Sequence, residues 1–267
     1  MKASTELFLW QLYWVAESVL RPGFFRWTQS FESWAYQRGI LRQLQRLEAE
    51  AFLERQLGGR GDRIYRLTPK GRLAALGGKD PEELWWRQWD RRWRLLMFDM
   101  PATPARPRQK LRRFLREHGL GCLQGSVWVS PDSLEPIRKQ LKGDRHPASL
   151  LLFEGTATGG EKDREIVADA WDFEAIDVAW SYCENSINNG KKFLKTSQPD
   201  ADTFRTWIEW DFYHWRRVLE IDPFLPGTLQ PKRYRGPKIW TKRKKLYFAL
   251  AQKIRENGFK PNDDSRQ

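Results

Sequence analysis

Residues 94–100 read RLLMFDM and residues 105–119 read ARPRQKLRRFLREHG. The first is an apolar run closed by a lone Asp99, with Pro101 just beyond it, the pattern of a short buried strand. The second reads as a helix. A strand GCLQGSVWVSP (121–131), a helix DSLEPIRKQL (132–141) and a strand ASLLLFEG (148–155) follow. This β-α-β plus α-β order is most of a ferredoxin-like α/β sandwich, expected over residues 93–155.

Immediately upstream, KDPEELWWRQWDRRWR opens with Asp80 as a cap, Pro81 at the first helical position and Glu82 and Glu83 in the first turn. A linker helix is expected over 79–92. Trp85, Trp89 and Trp93 recur every four residues along it, an aromatic stripe suited to packing between modules.

The first 78 residues have a different rhythm. TELFLWQLYWVAESVL places Leu9, Leu12, Tyr13, Ala16, Val19 and Leu20 at helical spacing, and Arg21-Pro22-Gly23 stops the helix. A shorter helix is expected over Thr28–Gln37. In the next one, Ile40, Leu44, Leu47 and Ala51 form an inner face. Arg42, Gln45 and Arg46 fall on the outer face, with Arg38 at the entry. Two short strands, Phe52–Leu57 and Ile64–Thr68, flank Gly58-Gly59-Arg60-Gly61-Asp62 as a hairpin. Thr68-Pro69-Lys70-Gly71 then reads as a cap with proline in the first helical turn.

Helix, helix, basic helix and basic hairpin make the winged-helix variant of helix-turn-helix. In such a module Arg42, Gln45 and Arg46 can reach base edges in a major groove. Arg55, Arg60 and Arg63 on the hairpin can neutralise phosphates beside it.

Charge supports a polyanionic partner. The net charge of the 267 residues is +13, unevenly spread. Arg38–Arg72 holds nine Lys/Arg against four Asp/Glu, and Lys232–Lys260 eleven against one, whereas Asp144–Gly190 holds three against ten. Basic ends around an acidic middle suit contact with nucleic acid.

Other classes find little support. Cys122 and Cys183 are the only cysteines, too few for a disulfide framework. His118, His146 and His214 are scattered without metal-ligand spacing, so no zinc site is expected. Gln11 and Glu17 interrupt the best apolar run, so a cytoplasmic chain without membrane contact is expected.

Residues 156–267 read as a helical module. EKDREIVADAWDFEAIDVAWSYCENSINN is helical, with Trp171-Asp172 starting a second helix, and PDADTFRTWIEWDFYHWRRVLEID is another.

Three of these segments carry a resemblance. WRLLMFDMP, LRRFLREHGLGCLQGSVWVSP and FYHWRRVLEIDPFLPGTLQP, together with the winged helix, resemble the PaaX family of bacterial repressors of phenylacetate catabolism. The resemblance implies a repressor that binds a palindromic DNA operator as a homodimer. It also implies release by an aryl-acyl-CoA-type effector on the helical module, with no resident cofactor and no enzymatic activity. Trp207, Trp210, His214 and Trp215 are the candidate effector residues. The sequence departs from the family at RYRGPKIWTKRKKL, where Tyr234 replaces a tryptophan and a basic block Lys242–Lys245 is added. A solvent-facing helix end is expected there, with extra DNA contact or anionic-ligand binding as alternatives.

The family's middle module is in turn similar to the small ferredoxin-like CRISPR-associated endonucleases. In those, an aspartate ending the first strand can hold a divalent metal at a dimer interface, and Asp99 falls on that position. Asp99 is therefore expected to end a strand and accept hydrogen bonds, with a catalytic metal site as the alternative. A further alternative is a nucleic-acid-binding subunit of a larger assembly. The expected fold class is α+β: N-terminal winged helix, central ferredoxin-like sandwich and C-terminal helical domain.

Overall fold

The computed structural model describes residues 3–19, 41–57, 63–99, 105–143, 149–157, 160–197 and 199–257. The chain is mixed helix and sheet, as the α+β expectation requires, and divides into two compact units. One comprises residues 1–80, 182–215 and 238–267; the other comprises 81–181 and 216–237.

The second unit holds the four-stranded sheet. Its elements are α4 (Pro81–Trp86), β3 (Trp93–Asp99), α5 (Ala105–Glu117), β4 (Gly121–Gln124), β5 (Val127–Ser130), α6 (Glu135–Gly143), β6 (Ser149–Gly155) and α7 (Gly160–Ala170). The strands lie in the order β4-β5-β3-β6, all antiparallel to their neighbours. A β-α-β-β-α-β chain with its first and third strands central has ferredoxin-like topology.

The strand expected over 121–131 is in fact two. Gly125 adopts φ +55°, a left-handed conformation that glycine accommodates without a Cβ clash, and the chain reverses there into a hairpin. That reversal supplies the strand missing from the sequence reading. The expected linker helix is also shorter. It ends at Trp86, so Trp89 and Trp93 are not on it, and Trp93 opens β3 instead.

Period-two alternation sorts β3 between two faces. Leu96 and Phe98 pack with Leu111, Leu115, Trp128, Ile137 and Leu141, placing α5 and α6 on one face of the sheet. On the opposite face Trp93 donates its indole N–H to Asp163 of α7 at 2.8 Å. Gly121 lies under the end of α7 so closely that a Cβ there would stand 2.5 Å from the Ala170 methyl. Further along that face Leu151 and Phe153 of edge strand β6 are exposed.

The family-like Asp-Pro-Phe-Leu-Pro segment (222–226) is built into this unit. Buried Asp222 accepts hydrogen bonds from the Trp180 indole at 2.6 Å, the Tyr234 hydroxyl at 2.7 Å and the Phe224 amide at 2.8 Å. Tyr234, the residue that departs from the family pattern, also accepts the Trp85 indole N–H at 3.0 Å. Burial, with the Asp222 charge beside it, pushes the Tyr234 phenol well above its ordinary value.

The first unit begins with α1 (Ala3–Val19), followed by α2 (Leu41–Ala49), β1 (Leu53–Leu57), β2 (Arg63–Leu67) and α3 (Pro69–Ala75). The helix expected over Thr28–Gln37 and the turn 58–62 lie outside the described residues. Thr68 caps α3 as expected, accepting the Gly71 amide at 3.0 Å, with Pro69 opening the helix. Gly71 allows the helix to meet the Phe52 carbonyl, which a Cβ would overlap at 1.9 Å.

Helix α8 (Phe173–Gly190) is capped by Asp172, which accepts the Ala175 amide at 2.9 Å, confirming a helix start after Trp171. A short helix α9 (Lys192–Lys195), helix α10 (Ala201–Ile221) and helix α11 (Gly236–Asn257) follow. Residues of α1, α8, α10 and α11 pack in the first unit around a tryptophan cluster. The rings of Trp10 and Trp215 stack at 5.8 Å, those of Trp215 and Trp240 lie 4.9 Å apart, and Trp14 stacks on Tyr247 at 4.3 Å. Leu9 and Tyr13 are buried as the spacing of α1 implies, but Trp10 and Trp14 are buried too, widening its apolar face.

Candidate nucleic-acid interface

Helix α2 has two chemically distinct sides. Leu44 and Leu47 are buried and fix the helix to the first unit, while Arg42, Gln45 and Arg46 are exposed. The spacing 42, 45, 46 at 3.6 residues per turn puts these three on one surface. Ala51, expected on the inner face, is a correction. It lies beyond the helix, exposed, at φ +58°, where the chain leaves α2 for β1.

Three further residues, Glu48, Glu50 and Lys70, organise this surface. Glu50 accepts Arg46 Nε at 2.7 Å, and Glu48 lies 3.5 Å from Arg55 Nε. Both pairs are solvent-exposed, and such pairs are worth only ~0.2–1 kcal/mol, so exchanging either for a phosphate or a base edge is cheap. The four-residue interval of Arg46 and Glu50 made that pair legible in the sequence; the approach of Arg55 to Glu48 depends on where the hairpin lies. Lys70 Nζ caps the end of α2 by donating to the Glu50 carbonyl at 2.7 Å and sits 4.5 Å from the centre of the Phe52 ring. It is thereby a structural lysine.

The hairpin pairs β1 with β2 antiparallel, in the register Arg55 to Tyr65 and Leu57 to Arg63, with Glu54 opposite Arg66. Arg55 is exposed, and Arg63 sits at the tip end of β2. Arg38 and Arg60 lie outside the described residues.

The helical candidates separate. Trp207 and Trp215 are core residues, Trp207 donating its indole N–H to the Ser186 carbonyl at 2.9 Å. Trp210 is 58% exposed, and half-buried His214 stacks on Tyr182 at 5.5 Å. These four residues therefore do not line one common surface. The block Lys242–Lys245 is a further correction, because its second member does not face solvent. Arg243 is fully buried and bonds Asp211 Oδ1 at 2.8 Å, while Tyr247 donates to Asp211 Oδ2 at 2.8 Å. The guanidinium lies 5.6–5.9 Å from the ring centres of Trp10, Trp215 and Trp240. Burial alone would lower the Arg243 pKa, yet the Asp211 carboxylate raises it. Lys242 is bonded to Glu184, leaving Lys245 exposed.

Asp99 ends β3 opposite Ser149 of β6 and is exposed. Among the described residues no group of three His, Cys, Asp or Glu side chains could hold a metal ion. Among the same residues no helix is long and apolar enough to cross a membrane.

Comparison with known proteins agrees with the geometry of the sheet. Residues 86–167 match the family model described as the PaaX protein central Cas2-like domain, and the resemblance to the PaaX family of regulators holds there. No curated protein matches the chain at a significant level. Among solved structures, an uncharacterized protein from Mycobacterium tuberculosis is similar, with 22% identity over 82% of this chain and 83% of that one and a TM-score of 0.45.

Proposed function

We propose that this protein is a PaaX-type transcription repressor that binds a palindromic site in double-stranded DNA as a homodimer. The observation that carries the reading is the two-sided α2 beside a basic hairpin, on a chain that also holds the PaaX central domain. Arg42, Gln45 and Arg46 read base edges in the major groove; Arg55, Arg60 and Arg63 neutralise flanking phosphates. The winged-helix assignment belongs to this reading. Leu151 and Phe153, exposed on the face of the central sheet that also carries α7, supply the apolar surface for the two-fold contact.

Release follows from an aryl-acyl-CoA-type ligand that binds the helical residues and favours a protein conformation with poorer half-site spacing. Trp210 and His214 are the accessible candidates for that contact. The ligand must bind the two conformations with different affinities to shift them.

Fluorescence anisotropy on the DNA upstream of the protein's own gene, with unrelated DNA as competitor, tests the reading. Arg42→Ala is expected to cost ~1–3 kcal/mol at one base position and to relax discrimination there. Equal loss on every sequence would remove Arg42 from base reading. The same titration with magnesium or EDTA reports on Asp99: magnesium-dependent shortening of the DNA, abolished by Asp99→Asn, would replace the repressor with a nuclease.

A further inference from the structure

The central domain carries a charged surface of its own. Helices α5 and α6 lie on the same face of the sheet, since Leu111, Leu115, Ile137 and Leu141 share its core. Helix α5 holds six Arg/Lys and one acidic residue in its 13 positions, and α6 holds three against one.

Their acidic residues are already engaged. Glu117 bonds Arg113 at 2.8 Å, and Glu135 lies 2.9 Å from Arg138. Arg112 donates to the Gly125 carbonyl at 3.0 Å, and Arg116 lies 5.8 Å from the centre of the Trp128 ring. Arg106, Lys110 and Lys139 remain exposed, with no acidic partner among the described residues.

This arrangement opposes the helix's own preferences. Arg106 and Arg108 occupy the first turn of α5, which has no acidic residue, at the positive end of the helix dipole. Arg106 and Lys110, and Arg108 and Arg112, are like charges four residues apart, each pair unfavourable by ~0.2–0.5 kcal/mol. A bound polyanion offsets these terms, because each cation gains an attraction larger than the repulsion between neighbours. None of the exposed large apolar side chains of the chain's described residues lies on α5 or α6. A helix that binds a lipid surface needs such side chains to enter it, so the surface suits a nucleic-acid backbone rather than a membrane.

We propose that the helical layer of the central domain, through Arg106, Lys110 and Lys139, binds the phosphate backbone of double-stranded DNA outside the contact made by α2. The contact is sequence-independent, adding affinity without base discrimination.

The test uses the full chain with Arg106, Lys110 and Lys139 all changed to Gln. Binding to a random-sequence duplex is measured from 50 to 200 mM salt, alongside binding to phosphatidylserine vesicles and a thermal melt. Each lost phosphate contact lowers the slope of log K against log salt by about 0.9, so the slope is expected to fall by about 2.7. The melting temperature does not fall, since the substitutions remove like-charge repulsion on α5, and base discrimination through Arg42 stays unchanged. An unchanged slope, no duplex binding by the parent protein, or a loss confined to the vesicles would each overturn the proposal. The two readings fail separately: a lower slope together with an Arg42→Ala variant that keeps its discrimination would leave this surface standing and remove the recognition helix.

Discussion

Replacing Asp211 by Asn keeps the shape of the side chain and removes one charge from the interior of the first unit. Both Asp211 and Arg243 are 0% exposed, and the carboxylate bonds the guanidinium and the Tyr247 hydroxyl, each at 2.8 Å. With the charge gone, the guanidinium stays buried among Trp10, Trp215 and Trp240, whose ring faces attract a cation but cannot neutralise it. Breaking a buried pair from one side costs ~3–5 kcal/mol, because the remaining charge has lost both water and partner. With a urea m-value of roughly 2 kcal/mol/M, the unfolding midpoint should fall by about 1.5–2.5 M. Urea titration followed by tryptophan fluorescence reads this directly, since the pair sits inside the tryptophan cluster. The double variant Asp211→Leu with Arg243→Met removes both charges and keeps apolar volume against the rings. It should recover most of the loss, as apolar replacement of a buried pair is often neutral or stabilising. A single variant costing less than about 1 kcal/mol, or a double variant as damaged as the single one, would refute the reasoning.

Gly121→Ala should destabilise the central domain by ~1–3 kcal/mol in the same assay, because the new methyl meets Ala170 and the Trp171 ring, both within 2.8 Å. Under the proposed homodimer, Phe153→Asp together with Leu151→Asp should leave the fold intact and shift sedimentation from dimer to monomer; dimers that persist in the double variant would refute a contact through this face. Burial holds the His214 imidazole below its ordinary value, with Asp211 opposing and Arg243 adding to the effect. The unfolded chain therefore takes up the proton first as pH falls, and stability drops on going below about pH 6.5. His214→Gln should flatten the pH dependence of the urea midpoint between about pH 7 and pH 5.

Local signals were strong wherever a single element decided the outcome. Asp80-Pro81 and Thr68-Pro69 opened helices, and Asp172 capped a third, because caps and proline act within one turn. The exposed side of α2 was legible from spacing alone, since Leu44 and Leu47 demanded one side and Arg42, Gln45 and Arg46 took the other. The alternation in β3 marked Leu96 and Phe98 for the core. Residues 93–155 were placed as a ferredoxin-like module even with one strand unrecognised, because two strand-helix-strand passages leave few alternatives.

Tertiary structure decided what depends on partners distant in sequence. VWV after Gly125 continues the apolar run before it, so only the reversal at φ +55° and pairing of β5 with β3 divide the two strands. The four-residue recurrence of Trp85, Trp89 and Trp93 imitates a helix, but the pairing of Trp93 with Gly155 claims it for the sheet. Asp222 reads as an aspartate before a proline until Trp180, Tyr234 and the Phe224 amide converge on it. Arg243 stands among lysines and has their composition. What separates it from Lys245 is Asp211, 32 positions earlier, since a cation can leave water only where folding brings an anion to meet it.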